Sequence, residues 1–140
     1  MTETTLVTGA TGTVGQHVVA ALADRDVAVR SAVRDPTHVP KQVADAGEPV
    51  EFDLVKPETW GRALADVDAV FLLRPPTVDG SAVGAFAEAA GRVGVDRVAY
   101  LSTLGAEKNV LIPHHRIEKR VAAADVDYTL LRASVFMQNL

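Results

Sequence analysis

The stretch Thr8-Gly9-Ala10-Thr11-Gly12-Thr13-Val14-Gly15 holds the residues best placed to do chemistry in this chain. Its glycines recur at every third position, Gly9, Gly12 and Gly15. The stretch follows a short apolar run, Thr4 to Val7. It leads into a helical pattern, Val14 to Ala23, whose Val14, Val18, Ala21 and Leu22 share one stripe. In that setting each glycine has its own task. The first lets the chain turn out of a strand, the second lets the backbone approach a pyrophosphate with no Cβ between, and the third lets the helix pack close to the sheet. The start of the helix then offers free N–H groups and partial positive charge to phosphate. The spacing predicts a dinucleotide cradle at the start of a β-α-β unit. The alternative is an empty tight turn, which leaves three conformationally costly glycines without a task.

The end of the second strand selects the dinucleotide. An acid there holds the adenosine ribose hydroxyls, whereas an arginine accommodates a 2′-phosphate. The apolar run Val27 to Val33 stops at Val33, so Arg34 takes the discriminating position and Asp35 falls one step later. This favours NADP, with NAD the alternative. Arg30 points the same way only weakly, since it also reads as a solvated strand residue. A competing reading has Arg34 and Asp35 pairing with each other in a surface loop. Other strand ends carry Asp53-Leu54, Arg74-Pro75 and Ser102-Thr103. Ligands in open α/β sheets bind beyond the carboxyl ends of the strands, so these polar positions gather at one edge.

The elements that must position these residues alternate strand and helix. Further strands are expected at Val50–Phe52, Ala69–Leu73, Arg97–Leu101 and Tyr128–Arg132. Helices are expected at Pro40–Ala46, Pro57–Leu64, Asp79–Val93 (capped by Asp79 or Ser81) and Pro113–Ala124. The strands are apolar without alternation, which suggests that helices cover both faces. The expected fold is a doubly wound parallel α/β sheet, Rossmann-like, with strand order 3-2-1-4-5-6, over a single domain of residues 1–140. Valine and alanine make up nearly a third of the chain while aromatics are 5%, as tightly packed strands and helices require.

The whole series of motifs resembles the NmrA-like, atypical branch of the short-chain dehydrogenase/reductase superfamily. The carriers are TGATGTVG at 8–15, VRSAVRDP at 29–36, FDL at 52–54, FLLRPP at 71–76, YLSTLGA at 100–106 and HHRIEKRVAAADVDYTLLRASVFMQN at 114–139. The resemblance implies an NAD(P)-binding Rossmann-like domain. It implies that Gly9, Thr11, Gly12, Thr13, Val14 and Gly15 line the pyrophosphate and that Arg34 meets the 2′-phosphate. Asp53 and Leu54 would flank the adenine, and Leu73, Arg74 and Pro75 the nicotinamide-side ribose. Ser102, Thr103 and the segment around Val135 and Phe136 would approach the nicotinamide. Two departures from the superfamily matter. The Tyr-x-x-x-Lys pair of its carbonyl reductases is absent: aligned on the helix of Arg116, Ile117 and Glu118, the lysine site falls at His114 and the tyrosine site near Val110. A valine donates no proton, so ordinary ketone reduction is in doubt, while hydride transfer to quinones or flavins is not. The second departure is length, since Leu140 falls before most of the C-terminal portion that forms the family's substrate pocket.

Composition removes other classes. The net charge of −4 leaves no basic footprint for nucleic acid. With no cysteine, disulfide scaffolds, thiolate metal sites and cysteine nucleophiles are excluded. There is no G-x-S-x-G elbow for a serine hydrolase. His114 and His115 point about 100° apart on a helix, so only one shares a face with Glu118, and no metal site is expected. His17 and His38 read as isolated surface residues, and the basic side of the last helix (His114, His115, Arg116, Lys119, Arg120) as a solvated face. No apolar run reaches the roughly 18 residues of a membrane span, and no signal peptide precedes the first strand, so a cytoplasmic protein is expected. The expected function is NADPH-dependent hydride transfer to a small electrophile such as a quinone. The alternative is a regulator that binds NADP and gates a protein partner without catalysis. An open apolar edge after the sixth strand would favour association into a homo-oligomer.

Overall fold

The computed structural model describes residues 3–103, 105–106, 108 and 111–133. Six short apolar runs form the strands β1 (Thr4–Val7), β2 (Ala28–Val33), β3 (Glu48–Glu51), β4 (Ala69–Leu72), β5 (Arg97–Thr103) and β6 (Asp127–Ala133). Between them lie α1 (Thr13–Ala23), α2 (Lys41–Ala46), α3 (Trp60–Leu64), α4 (Gly80–Arg92) and α5 (Pro113–Ala123). All neighbouring strands pair in parallel, in the order β3-β2-β1-β4-β5-β6. The expected doubly wound sheet is therefore present, with its strand order. Every strand ends at the same edge. The chain moves outward from β1 to β3 and then returns to the other side of β1, so the crevice between β1 and β4 opens at that edge.

The two faces bury different sets of side chains. On one, Leu6, Val50, Phe52, Val70, Leu72, Val98 and Tyr100 pack against Phe86, Ala87 and Ala90 of α4 and Ile117 and Val121 of α5. Phe86 meets Phe52 and Trp60 edge-on, at ring centroids 4.9 and 5.4 Å apart, the arrangement that aromatic quadrupoles favour. On the other face Val7, Val29, Val33 and Phe71 pack against Val19 of α1 and Val43 of α2. Among the described residues the second cover does not extend over β6, where Tyr128 and Leu131 are exposed. No helix among the described residues is long and apolar enough to cross a membrane.

Several boundaries shift for local reasons. Pro57 starts a 3-10 turn, Pro57–Thr59, before the true helix at Trp60. Strand β3 runs over Glu48–Glu51 rather than Val50–Phe52, because it pairs with Arg30 to Val33. Asp79, not Ser81, caps α4, accepting a bond from the Ser81 N–H at 2.8 Å. The largest change is in β5. It continues two residues past the expected end at Leu101, because β6 runs beside it for seven paired positions, from Arg97 with Asp127 to Thr103 with Ala133.

The turn between β1 and α1 depends on two glycines. Gly9 has φ +63°, in the left-handed region where a side chain is strained, and a Cβ there would press on Leu73. At Gly15 a Cβ would collide with the carbonyl oxygen of Gly9. The first turn of α1 thus lies directly on the loop. Gly15→Ala is expected to destabilise the fold by about 1–3 kcal/mol, the usual cost of overpacking. Urea unfolding of the variant beside the natural chain measures this, and an unchanged midpoint would show that the loop gives way freely.

Candidate dinucleotide-binding site

A cleft of about 810 Å³ lies along the carboxyl edge of the sheet. Its floor is the glycine loop: Thr8, Gly9, Thr11, Gly12, Thr13, Val14 and Gly15 all line it. Thr8 is buried and joins β1 to β4. Its hydroxyl donates to the Phe71 carbonyl at 3.1 Å and accepts from the Leu73 N–H at 3.0 Å. Gly12 is the N-cap of α1, with φ −78° and ψ 171°, and no side chain bonds back to the helix start. A helix leaves its first N–H groups without internal acceptors. Here they open onto the cleft, and the bare Cα of Gly12 lets a ligand reach them. This cradle fits a pyrophosphate on the chain's own geometry.

The two ends of the cleft differ. On the β2 and β3 side it is lined by Ala32, Val33, Arg34, Phe52, Asp53, Leu54 and Val55. Asp53 shapes this wall: its carboxylate accepts from the Val55 N–H at 3.0 Å, and its carbonyl accepts from the Trp60 indole at 3.2 Å. On the β4 and β5 side stand Leu73, Arg74, Pro75, Pro76, Thr77, Val78, Leu101 and His114. Arg74 donates to the Val78 carbonyl at 2.9 Å and so closes its own loop. Arginines at both ends, Arg34 and Arg74, make the cleft suited to a long anionic ligand.

The glycine-loop positions, Arg34, Asp53, Leu54, Leu73, Arg74, Pro75 and His114 are thus brought together, as the sequence expects. Ser102 and Thr103 are not. They lie inside β5 rather than after it. The buried Ser102 hydroxyl donates to Glu118 at 2.5 Å, and Thr103 donates to the Ala133 carbonyl at 3.3 Å. Val110, Val135 and Phe136 lie outside the described residues. Arg30 also points elsewhere, donating to the carbonyls of Ala63 and Ala65 at 3.0 and 2.6 Å. Thr8, which the sequence offers only as part of the glycine motif, lines the cleft as well, and so do Val55, Leu101 and the Thr77–Val78 turn. Thr8 precedes the first glycine, which is the one available signal. Thr77 and Val78 carry none, because only the folding of the proline loop brings them near.

Helix α5 holds His114 through a two-rung ladder. Tyr100 and Ser102 are two apart on β5 and so share a face, and His114 and Glu118 are four apart on α5 and do likewise. Tyr100 bonds to Nδ1 of His114 at 2.5 Å, and Ser102 to Glu118. Arg132 of β6 then grips both Glu118 oxygens, at 2.8 and 3.1 Å. The basic residues of α5 therefore do not form one solvated face. Only Arg116 and Lys119 are exposed, while His115 is buried with Nδ1 on the Ala106 carbonyl at 2.7 Å. Arg120 pairs with Glu88 at 2.7 Å. Among the described residues no three histidines or carboxylates gather as metal ligands.

Burial pushes the Glu118 carboxyl up, but the bonds from Arg132 and Ser102 outweigh it and hold it below the usual carboxylate range. A depressed pKa adds stability that is present above the unfolded value, about 4.3, and is lost as pH falls through the folded value. Glu118→Gln is expected to cost about 1–3 kcal/mol at neutral pH. The gap from the natural chain should close in acid. Urea unfolding at neutral and acidic pH measures both, and a gap independent of pH would mean that the carboxylate's charge is not what matters.

Relatives of known sequence and structure agree with this geometry. The chain matches the family model described as NAD(P)H-binding over residues 9–139. It is 31% identical to the prestalk A differentiation protein A of Dictyostelium discoideum, over 96% of this chain and 45% of that protein. It superposes on the Citrobacter sp. triphenylmethane reductase complexed with NADP(H), with a TM-score of 0.77 and 28% identity over 92% of this chain and 48% of that one. An NADPH-dependent quinone oxidoreductase from Escherichia coli gives a TM-score of 0.75 and 30% identity over 92% and 46% of the two chains. The chain thus spans about half the length of each of these three proteins. With the cradle, the strand order and the family match in agreement, the chain belongs to the NAD(P)H-binding family, of the NmrA-like, atypical short-chain dehydrogenase/reductase type.

Proposed function

We propose that the cleft takes NADP(H) in preference to NAD(H) and holds it for hydride transfer to a small electrophile such as a quinone. The observation that carries the preference is the division of labour between Arg34 and Asp35. Arg34 lines the cleft. Asp35 is turned into its own loop: it accepts from the Thr37 N–H at 3.0 Å and hydroxyl at 2.6 Å, and meets His38 Nδ1 at 2.9 Å. These bonds, the Thr37 hydroxyl first, lower the Asp35 pKa. The acid that would hold ribose hydroxyls is thereby satisfied locally, and the cation is left for a 2′-phosphate. His38 is exposed but not isolated, since it serves this turn.

A bound nicotinamide dinucleotide supplies the hydride. The chain's residues then bind and orient. The start of α1 receives the pyrophosphate, Arg34 the 2′-phosphate, and the wall of Asp53 and Leu54 the adenine. Leu73, Arg74, Pro75 and His114 shape the nicotinamide end. The quinone reading draws support from the quinone oxidoreductase among the structural neighbours, a protein about twice this chain's length.

Fluorescence titration of NADPH and NADH tests the preference. Arg34→Ala is expected to lose about 1.5–3 kcal/mol of NADPH affinity and to leave NADH little changed. An unchanged NADPH preference in the variant, or a natural preference for NADH, would overturn the assignment. Steady-state assay with a panel of quinones tests the reaction. Turnover identifies a reductase, while tight NADPH binding with no turnover identifies the regulator instead.

A further inference from the structure

Tyr100 is fully buried under α5, and among the described residues its hydroxyl meets one partner, Nδ1 of His114. A buried phenol must aim its proton at an acceptor. Nδ1 is the acceptor offered, so this nitrogen carries no proton and the single N–H of a neutral imidazole sits on Nε2. The surroundings keep the ring uncharged. Burial first, and Arg74 at the end of β4 second, lower the His114 pKa; Glu118 on α5 acts oppositely, but Arg132 of β6 neutralises it. His114 also lies in the first turn of α5, where the helix dipole disfavours a cation. Burial holds the Tyr100 phenol protonated. The next residue is set the other way. His115 Nδ1 faces the Ala106 carbonyl, which can only accept, so there Nδ1 bears the proton. Among the described residues His115 Nε2 is buried without a partner, whereas His114 Nε2 is not one of the buried, unpartnered atoms and its residue lines the cleft.

We propose that Tyr100 locks His114 as an uncharged Nε2–H donor, and that this donor serves a carbonyl-type oxygen at the β4 and β5 end of the cleft. A hydroxyl both donates and accepts, so either tautomer would satisfy it. Fixing the donor tautomer matters only for an atom that accepts and cannot donate. Two such oxygens fit: the carboxamide oxygen of a bound nicotinamide, and the oxygen of a quinone or carbonyl electrophile. No proton leaves the ring, because the phenol behind it does not ionise. The donor polarises the oxygen and fixes its position. Tyr100 is a positioning residue acting through His114. This assignment rests on reading the cleft as a nicotinamide dinucleotide site.

Long-range proton–nitrogen NMR of the 15N-labelled full chain, between about pH 6 and 8, tests the lock. His114 should appear neutral with the proton on Nε2, and His115 with a proton on Nδ1 as the internal reference. In Tyr100→Phe, a variant that keeps the buried ring, His114 should relax to a mixture while His115 stays unchanged. A charged or Nδ1–H His114 in the natural chain overturns the lock, and so does a variant in which His114 is unmoved. The ligand is tested by adding NADP+ alone and then NADP+ with duroquinone. Movement of the His114 Nε2–H signal with NADP+ alone assigns the carboxamide; movement only with the quinone assigns the electrophile. No movement with either, in a chain that binds NADPH by fluorescence, overturns the donor's role. Failure to bind NADPH overturns the cofactor reading and the donor's role with it, while the tautomer spectrum still decides the lock. Tyr100→Phe is expected to weaken the ligand that owns the oxygen roughly 3- to 10-fold.

Discussion

The contact between Gly15 and the Gly9 carbonyl governs how the rest of the site is built. No Cβ fits between the first turn of α1 and the loop that leaves β1. Because the two approach so closely, the helix start faces the carboxyl edge of the sheet at its centre, where β1 and β4 lie side by side. Thr8 fastens the same point from the other direction by bonding to both Phe71 and Leu73. The Gln16 side chain donates to the Thr11 carbonyl at 2.7 Å, and Gln42 of α2 donates to Gln16. The cradle is thus held by backbone contacts and short polar bonds, among them the Gly12 N–H on the Gly9 carbonyl, while the N–H groups of the first turn of α1 face the cleft.

The parallel sheet gives that cradle its two arms. In a parallel arrangement every strand ends at one edge, so residues far apart in the chain become neighbours without any direct bond between them. Arg34 and Asp53 come from adjacent strand ends on one side. Arg74 and His114 come from the other, where His114 reaches the edge only because α5 is indexed onto β5. That indexing uses the match between two strand residues and one helical turn, with Tyr100 over His114 and Ser102 over Glu118. Arg132 completes it from β6. A helix resting only on apolar contacts could rotate or slide by a fraction of a turn. The polar rungs remove that freedom, since unpaired buried groups are costly.

The same rungs separate the roles of neighbouring residues. His114 and His115 are adjacent and chemically identical, yet one edges the cleft and the other is buried against Ala106. Ser102 and Leu101 are adjacent on β5, yet Leu101 lines the cleft while Ser102 holds the helix behind it. Arg34 and Asp35 are adjacent after β2, yet one faces the ligand space and the other folds into its own turn. In each pair backbone geometry, not side-chain chemistry, decides which residue lines the cleft.

The sequence by itself determined the fold class, the strand order and the glycine turn that opens the cleft. Those follow from local patterns: apolar runs of strand length, helical stripes between them, and glycines at the spacing that a tight turn and a close helix demand. It also determined most of the lining of the cleft, because a parallel sheet sends all strand ends to one edge. What only the tertiary structure decided depends on partners distant in the chain. Pairing with β6 carried β5 past Leu101 and drew Ser102 inside. Packing against β5 split the basic face of α5, burying His115 and sending Arg120 to Glu88. Contact with the end of α3 turned Arg30 away from the cleft. The ring of His114 is held at Nδ1 by a tyrosine fourteen residues away. Periodicity and spacing carry no record of such contacts, because each is set by the register of one element on another.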